Sequence, residues 1–460
     1  MSIFRFITAR PVISTGVLAF CIRALALWQL PLLVTNDGAD YASWAMDLAD
    51  GVWPTFPPFR TPGYSVFLAG IFSVAVSPIL LQGVQHLLGI TTACCVAWGI
   101  KRSGRPRAAL LIGSLVAVDP RLLAFETVLL SETLTTTLVT LGGMLALHNP
   151  PQRNGTIQPI LLGVLVGLAC LVRPAVQVVV PFFLVAAAFS GTPKRFAARL
   201  LLSSLAIVLT VAPWCIYNAN RGIIGLSGAK PVYLWYGLAH NGLLTDEHAP
   251  TEFVESYQRN LSENPADIEG FFAFVNEHNA WKDADVQRQL QAWSLSCIRD
   301  RPFAYAKAAS RSFFWQLDTY PGDQFQETAW FVKSHRLRRI DRPDFDDNML
   351  TSNTSRIEGL RVTREPGVMA VLLAQWSQVG MAGAVTAGFY TVAGVVCMLG
   401  VASRPKPMLL FLGCSALILA HAVYLSPYSR YSMPVWPLLA VLVVRGIRPA
   451  QTDTAEIDSS

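Results

Sequence analysis

The fold is decided by the first long apolar run, PVISTGVLAFCIRALALWQLPLLV at residues 11–34, and by TNDGADYASWAMDLADG at 35–51 directly after it. The apolar run exceeds the roughly 20 residues that a helix needs to cross a bilayer. The second stretch carries four aspartates and no basic residue. The apolar run therefore predicts a membrane span, and the aspartates place four negative charges directly after the end of that helix.

The composition is that of a membrane protein. Of its 460 residues, 52% are hydrophobic and only 14% are charged, whereas a soluble domain has about 25% charged residues. Lysines and arginines gather in short loops between apolar runs, the pattern of cytoplasmic loops. The net charge of +6 therefore does not indicate binding to nucleic acid, and the predicted partner is the lipid bilayer. We predict an all-α polytopic membrane protein.

The hydrophobic pattern predicts about ten transmembrane helices, with the basic loops on the cytoplasmic side. The predicted spans are 11–34, 79–100, 108–119, 124–147, 157–172, 175–190, 200–217, 379–400, 407–425 and 431–447. The short apolar stretch 62–76 would reverse every later loop if it crossed, so we predict a re-entrant or interfacial helix there.

Four regions follow from this topology. Residues 1–217 form an N-terminal transmembrane module whose first outer loop is 35–62, and 218–366 is a polar segment on the outer side. The remaining regions are C-terminal spans in 367–448 and a polar cytoplasmic tail at 449–460. The polar segment is predicted to be a small helical extracytoplasmic cap, with apolar residues at helical spacing: Val286, Leu290, Trp293 and Cys297.

The acidic stretch predicts an amphipathic helix over 40–50 that lies on the membrane surface. At 3.6 residues per turn, one arc carries Tyr41, Trp44, Ala45 and Leu48, and the other carries Asp40, Ser43, Asp47 and Asp50. Gly51 suits the position after the helix. In one interpretation, Asp37 is simply the N-cap and Asp47 and Asp50 are solvated charges. In the other, Asp37 faces Arg60, which lies in the same outer loop.

Several motifs resemble the GT-C superfamily of glycosyltransferases, in the branch with protein O-mannosyltransferases and the lipid A aminoarabinose transferase. The first outer loop matches an acid four residues before a tyrosine, followed by Arg-x-Pro-Gly-Tyr. The matching residues are Asp37, Tyr41, Arg60, Pro62, Gly63 and Tyr64. Four further pieces agree in order: DPRLLAFETVLLSETL at 119–134, LACLVRPAV at 168–176, APWCIYNANRGIIGLS at 212–227 and YSRYSMPVWPLLAVL at 428–442.

The resemblance implies a GT-C-like fold in a bacterial inner membrane, with the active site on the periplasmic face. It implies transfer of a sugar from a polyprenyl-phosphate donor to a hydroxyl of an envelope glycan, lipid or protein. The implied catalytic residues are Asp37, Asp40 and Glu132. The implied phosphate-binding residues are Arg60, Arg173, Arg221 and Arg430, and the implied substrate-binding residues are Tyr41, Tyr64 and Tyr431.

No cofactor is firmly implied. Some members of the superfamily bind a divalent metal in this loop, but the second acid that often adjoins the first is glycine here, Gly38. The arginine usual in the fourth motif is replaced by Tyr217, with Arg221 four residues later.

Structural roles compete with these functional ones. Arg173 and Arg430 lie at span ends, where arginines often extend to the lipid headgroups. Glu132 lies in an apolar run, so it is either a site residue or the structural partner of Arg121 or Arg23. Arg23, in the middle of the first span, is expected to form an ion pair inside the helix bundle.

Two other activities compete with sugar transfer. A transporter or lipid flippase would show inverted repeats and ionisable residues near the bilayer midplane. A ligase or polymerase of lipid-linked glycans would also act at the outer face with arginines. The aromatic stretch 231–241, PVYLWYGLAHN, is open to two interpretations, stacking on a sugar or anchoring at the interface.

Overall fold

The computed structural model describes residues 9–57, 59–148, 156–189, 192–223, 225–228, 230–261, 268–281, 283–317, 356–357, 360, 392, 405–423 and 435–446. The regular secondary structure in these ranges is helical. The extended pairing recorded there is an isolated parallel bridge between Leu33 and Val128.

The described residues of the N-terminal module include ten named α-helices. They are α1 (Pro11–Gln29), α2 (Asn36–Ala49), α3 (Gly63–Phe72), α4 (Pro78–Lys101), α5 (Pro106–Ala117), α6 (Pro120–Thr127), α7 (Glu132–Leu147), α8 (Ile157–Val172), α9 (Val180–Ala188) and α10 (Pro193–Ala219). A 3₁₀ turn, Pro174–Val179, joins α8 to α9. Many helices begin at a proline, which suits the first turn because no backbone N–H is needed there.

Within the described residues of 218–317, 405–423 and 435–446, the polar segment has five α-helices and the C-terminal region has two. The helices of the polar segment are α11 (Lys230–His240), α12 (Thr251–Asn260), α13 (Ile268–Glu277), α14 (Ala284–Asp300) and α15 (Pro302–Leu317), and the last two are α16 (Pro405–Val423) and α17 (Trp436–Gly446).

The described residues include four helices long and apolar enough to cross a membrane: α1, α4, α10 and Lys406–Val423 within α16. A fifth span arises if α5 and α6, bent by 43°, count as one. The helices α3, α8 and the segment Pro174–Ala188 are apolar but shorter. The chain is thus a multi-pass membrane protein, and the predicted number of about ten spans stays a prediction. The predicted span 379–400 and the tail 449–460 lie outside the described residues.

Two predicted spans were wrong in their continuity. The first helix ends at Gln29, well before residue 34, and the chain continues extended to the bridge at Leu33. The run 124–147 is divided into α6 and α7, with an extended segment around Val128 between them. Hydropathy failed to show these breaks because the residues at them are apolar. Residues 30–33 and 127–130 instead pair with each other, since the N–H of Leu33 donates to Thr127 and that of Leu129 donates to Leu33.

The cap has its own core, as the sequence predicted for α14. Trp235 of α11 is fully buried and stacks on Phe274, with ring centroids 4.3 Å apart. Leu290, Trp293 and Cys297 join this core from α14. Trp235 is therefore a packing residue, and interfacial anchoring is wrong for it.

Candidate active site

The helix α2 brings the acidic stretch into the site. Its N-cap is Thr35, whose hydroxyl accepts a hydrogen bond from the N–H of Gly38 at 3.1 Å. The interpretation of Asp37 as the N-cap is therefore wrong, because Thr35 already occupies that role. Gly51 follows the helix with a φ of 80°, the left-handed conformation expected of a residue at this position. Asp37 lies in the first helical turn with its carboxylate directed elsewhere.

Asp37 forms an ion pair with Arg60 across the first outer loop. The Arg60 side chain is 17% exposed and that of Asp37 is 31% exposed, so the pair borders solvent. Arg60 also donates to the hydroxyl of Tyr41 at 3.2 Å, and its guanidinium lies 5.0 Å from the centre of that ring. Three of the residues predicted for the site are thus in direct contact.

Asp40 lies one turn along α2 from Asp37 and interacts electrostatically with both partners of the pair. Burial raises the pKa of Asp40 to about 6, Arg60 opposes this shift, and the negative charge of Asp37 adds to it. For Arg60, burial lowers the pKa, but Tyr41 and Asp37 together raise it above its ordinary value. Arg60 is therefore always charged, and Asp40 has a pKa close to neutrality.

One nitrogen of Arg60 remains available. Its Nε is buried and has no hydrogen-bond partner among the described residues. A buried donor without an acceptor costs free energy. A bound anion would remove that cost by accepting from this nitrogen.

The position of Gly38 explains why the resemblance breaks there. A β-carbon at residue 38 would lie 2.5 Å from the carbonyl oxygen of Leu129 and 3.0 Å from its side chain. No side chain fits without moving this backbone. The acid that often adjoins the first one therefore has no room in this loop.

A polar stripe runs along α4 inside the bundle, and sequence reasoning missed it. It consists of Gln82, Gln85, His86, Gly89 and Thr92. Gln82 donates to the carbonyl of Leu30 at 3.1 Å, and Gln85 donates to those of Glu126 and Val128 at 2.9 and 3.1 Å. Irregular backbone inside a membrane needs such partners. The signal was present, as polar residues at helical spacing in the run 79–100.

A buried charge cluster includes His86 of this stripe. Arg23 binds one oxygen of Glu126 at 2.7 Å, and His86 binds the other at 2.8 Å. The carboxylate lies over Gly89, where a β-carbon would be 1.9 Å from it. The prediction that Arg23 pairs inside the bundle is confirmed. It follows that Glu132 needs another partner.

That partner is Arg173, whose guanidinium lies 3.0 Å from the Glu132 carboxylate. The alternatives Arg121 and Arg23 are wrong, because Arg121 pairs with Asp119 at 2.6 Å and Arg23 with Glu126. Arg173 is the C-cap of α8, and the start of α3 packs against that end of α8. At Gly63, a β-carbon would be 2.6 Å from Leu171. The Glu132–Arg173 pair therefore adjoins the Arg60 loop.

Arg221 holds the same loop from another side. It donates to the carbonyl of Phe56 at 2.7 Å and lies 5.2 Å from the ring centre of Tyr217. Tyr217 replaces the usual arginine of its motif, and here it supports the side chain that binds the loop. The geometry thus gives Arg221 a role in holding the loop, and its binding of phosphate stays a prediction.

The cap contacts the loop through aromatic residues. Trp281 packs on Phe59, with ring centroids 4.4 Å apart, and Tyr233 packs on Trp281 at 5.6 Å. Tyr233 is 42% exposed and is close enough to Arg60 to raise its pKa. Of the stretch 231–241, it is Tyr233 that reaches the site. Trp281 was missed, because a single tryptophan in a polar segment gives no signal.

Some predicted residues remain without structural description. Arg430 and Tyr431 lie outside the described residues. Asp50, predicted to be a solvated charge, has a side chain 54% exposed, and it also pairs with Arg356 at 2.5 Å. Among the described residues, no group of three or more His, Cys, Asp or Glu side chains is arranged to hold a metal ion.

Solved structures of an oligosaccharyltransferase and of ArnT are similar to this chain. One is the Archaeoglobus fulgidus oligosaccharyltransferase in complex with Zn and sulfate, with 12% identity over 95% of this chain and a TM-score of 0.47. The chain spans about half of that protein, 48% of its length. Another is ArnT from Cupriavidus metallidurans bound to undecaprenyl phosphate, with 15% identity, a TM-score of 0.38, and coverage of 90% of this chain and 77% of ArnT.

Neither a scan against protein-family models nor a search of curated proteins returns a match. No activity follows from structural likenesses at these TM-scores. The function has to be inferred from the residues of the site.

Proposed function

We propose that this protein is a membrane glycosyltransferase. It moves a sugar from a polyprenyl-phosphate donor to an acceptor hydroxyl on the outer face of the membrane. The acceptor belongs to an envelope glycan, lipid or protein, and the membrane is the bacterial inner membrane. The observation that carries the proposal is the contact of Asp37 with Arg60, beside Asp40, in one outer loop.

Arg60 is suited to bind the donor phosphate. It is fixed by Asp37 and Tyr41, and its buried Nε has no partner among the described residues. Guanidinium groups bind phosphate through charge-assisted hydrogen bonds. A phosphate that approaches this nitrogen also competes with Asp37 for the positive charge. Donor binding would therefore loosen the hold of Arg60 on the carboxylate.

Asp37 is then the general base. It takes the proton of the acceptor hydroxyl while the acceptor oxygen forms a bond to the anomeric carbon of the sugar. The bond from that carbon to the phosphate oxygen breaks, and its electron pair remains on the polyprenyl phosphate. Arg60 stabilises this negative charge. Asp40, one turn along α2 from Asp37, positions the acceptor hydroxyl.

Glu132 and Arg173 have a second role in the proposed reaction. Their pair is almost fully buried, with side-chain exposures of 3% for Glu132 and 12% for Arg173. We place Arg173 where it can share the charge of the departing phosphate, with Glu132 holding its guanidinium.

The test is transfer of a labelled sugar by the purified protein in detergent. The sugar is supplied either as a polyprenyl-phosphate sugar or as the matching nucleotide sugar, with envelope fractions as acceptor. We expect label in the acceptor only with the lipid donor. Transfer from the nucleotide sugar, or no transfer from a panel of lipid-phosphate sugars, would contradict the proposal.

A further inference from the structure

One buried amide connects the two sides of the proposed active site. Gln85 of α4 is 1% exposed. Its Oε1 accepts a hydrogen bond from the hydroxyl of Tyr64 at 2.9 Å, and its Nε2 donates to the carbonyls of Glu126 and Val128. The acceptor and the donor of the amide are therefore both used.

The first connection leads to Arg60. Tyr64 is 1% exposed, and its ring meets the ring of Tyr41 edge-on at 5.0 Å. The Tyr41 hydroxyl in turn accepts from Arg60. Because the Tyr64 ring is enclosed, its hydrogen bond to Gln85 fixes the wall on which Tyr41 packs.

The second connection leads to Asp37. Val128 belongs to the extended segment that bridges to Leu33, and Leu129 follows it. The start of α2 packs against Leu129 at Gly38, so closely that a β-carbon on residue 38 would clash with the Leu129 backbone. Asp37 immediately precedes Gly38. Gln85 binds the backbone at Val128, and this backbone therefore fixes the position of Asp37 relative to the helix bundle.

We propose that Gln85 is a positioning residue that sets the geometry between Asp37 and Arg60. It touches neither of them, and it acts through Tyr64 on one side and through the Val128–Leu129 backbone on the other. This inference rests on the proposed function for its effect on catalysis. Its effect on the Asp37–Arg60 pair is independent of any activity.

Gln82 offers a matched control. It lies on the same face of α4, is 3% exposed and also donates to a backbone carbonyl, that of Leu30. The variants Q82L and Q85L thus each remove a buried amide from the same stripe. Only Q85L breaks the path to Tyr64 and Val128. Y64F tests the first connection alone, since it removes one oxygen and retains the ring.

The first experiment compares kcat and KM for lipid-phosphate sugar in the wild type, Q82L, Q85L, Y64F and Q85L/Y64F. We expect Q85L to lower kcat about 100-fold, the size of effect that a misplaced catalytic group produces. Q82L should stay within a few-fold of wild type. Y64F should lower kcat less than Q85L, and Q85L/Y64F no further than Q85L. Equal loss in Q82L and Q85L, or additive loss in the double variant, would overturn the inference.

The second experiment needs no activity and therefore separates this inference from the proposed function. It measures how much D37N lowers the Tm in the wild type, Q82L and Q85L. If Gln85 sets the ion pair, D37N lowers the Tm in the wild type and in Q82L, and much less in Q85L, where the pair is already disturbed. The same drop in all three backgrounds would show that Gln85 does not position the pair.

Discussion

Gly38 lies so close to Leu129 that a β-carbon at residue 38 would be 2.5 Å from the Leu129 carbonyl oxygen. This contact seats the acidic helix on the extended segment between α6 and α7. It also fixes the sequence at residue 38, because any side chain would push α2 away from the bundle. The carboxylate of Asp37 would move with the helix.

Gly38→Ala should therefore destabilise the protein by about 1–3 kcal/mol, the usual cost of forcing an extra carbon into a packed site. Gly70→Ala is the control, because nothing lies within 4 Å of a β-carbon there and alanine favours a helix by up to about 1 kcal/mol. Thermal unfolding in detergent measures both variants. An equal Tm for Gly38→Ala and wild type would show that α2 can shift freely.

The raised pKa of Asp40 predicts a pH-dependent stability. The folded protein holds the proton of Asp40 up to about pH 6, whereas the ordinary pKa of an aspartate is 3.8. The contribution of Asp40 to stability is therefore greatest at low pH, and this contribution is lost as the pH rises from 3.8 to about 6. Above that range the charged carboxylate is a constant penalty.

Asp40→Asn removes this penalty, because the amide is always neutral. The Tm of the variant should exceed that of the wild type above pH 6, and the difference should shrink as the pH falls toward 4. Asp47→Asn, the same change on the same helix, is the control. A Tm difference for Asp40→Asn that does not vary with pH would mean that Asp40 titrates as an ordinary surface acid.

The contact between the cap and the loop should matter for turnover. Trp281→Ala removes the ring that packs on Phe59 at 4.4 Å, next to Arg60. Aromatic pairs contribute about 0.5–1.5 kcal/mol beyond their buried area, so we expect sugar transfer to fall by roughly 2- to 10-fold. Phe303→Ala, at a side chain 90% exposed, should change nothing. Equal rates for the two variants would show that the cap contact is dispensable.

The topology can be tested with two single cysteines in intact cells. A cysteine in place of Phe303 should react with a membrane-impermeant thiol reagent, because the cap is predicted to face outward. A cysteine in place of Lys194, in a basic loop, should react only after lysis. The reverse pattern would put the proposed active site on the cytoplasmic side.

The local features of the site followed from the sequence. Helix α2 and its end at Gly51 follow from the spacing of apolar and polar residues, and Asp37 and Arg60 lie in the same loop. The pairing of Arg23 within the bundle follows from the cost of a buried charge. The amphipathic assignment was only partly right, since Ser43 is buried. Its small side chain fits against the bundle as well as alanine does.

The features that sequence reasoning missed depend on contacts between distant segments. The break between α6 and α7 lies in an apolar run, and it is stable because Gln85 on another helix binds its backbone. The pairing of Glu132 with Arg173 similarly joins two helices whose register no periodicity reveals. The polar residues on α4 are visible in the sequence at helical spacing. The backbone carbonyls that their side chains bind belong to distant segments, which the sequence pattern does not identify.

The most direct test of the central claim is the sugar-transfer rate of the double variant Asp37→Asn/Arg60→Gln, compared with each single variant and the wild type. If the pair were only structural, neutralising both residues would remove the unpaired charge and restore much of the rate. Because we assign a proton transfer to Asp37 and charge stabilisation to Arg60, each single variant should lose about 100-fold or more. The double variant should be no faster than the slower single variant. A double variant that transfers sugar within a few-fold of the wild-type rate would contradict the account.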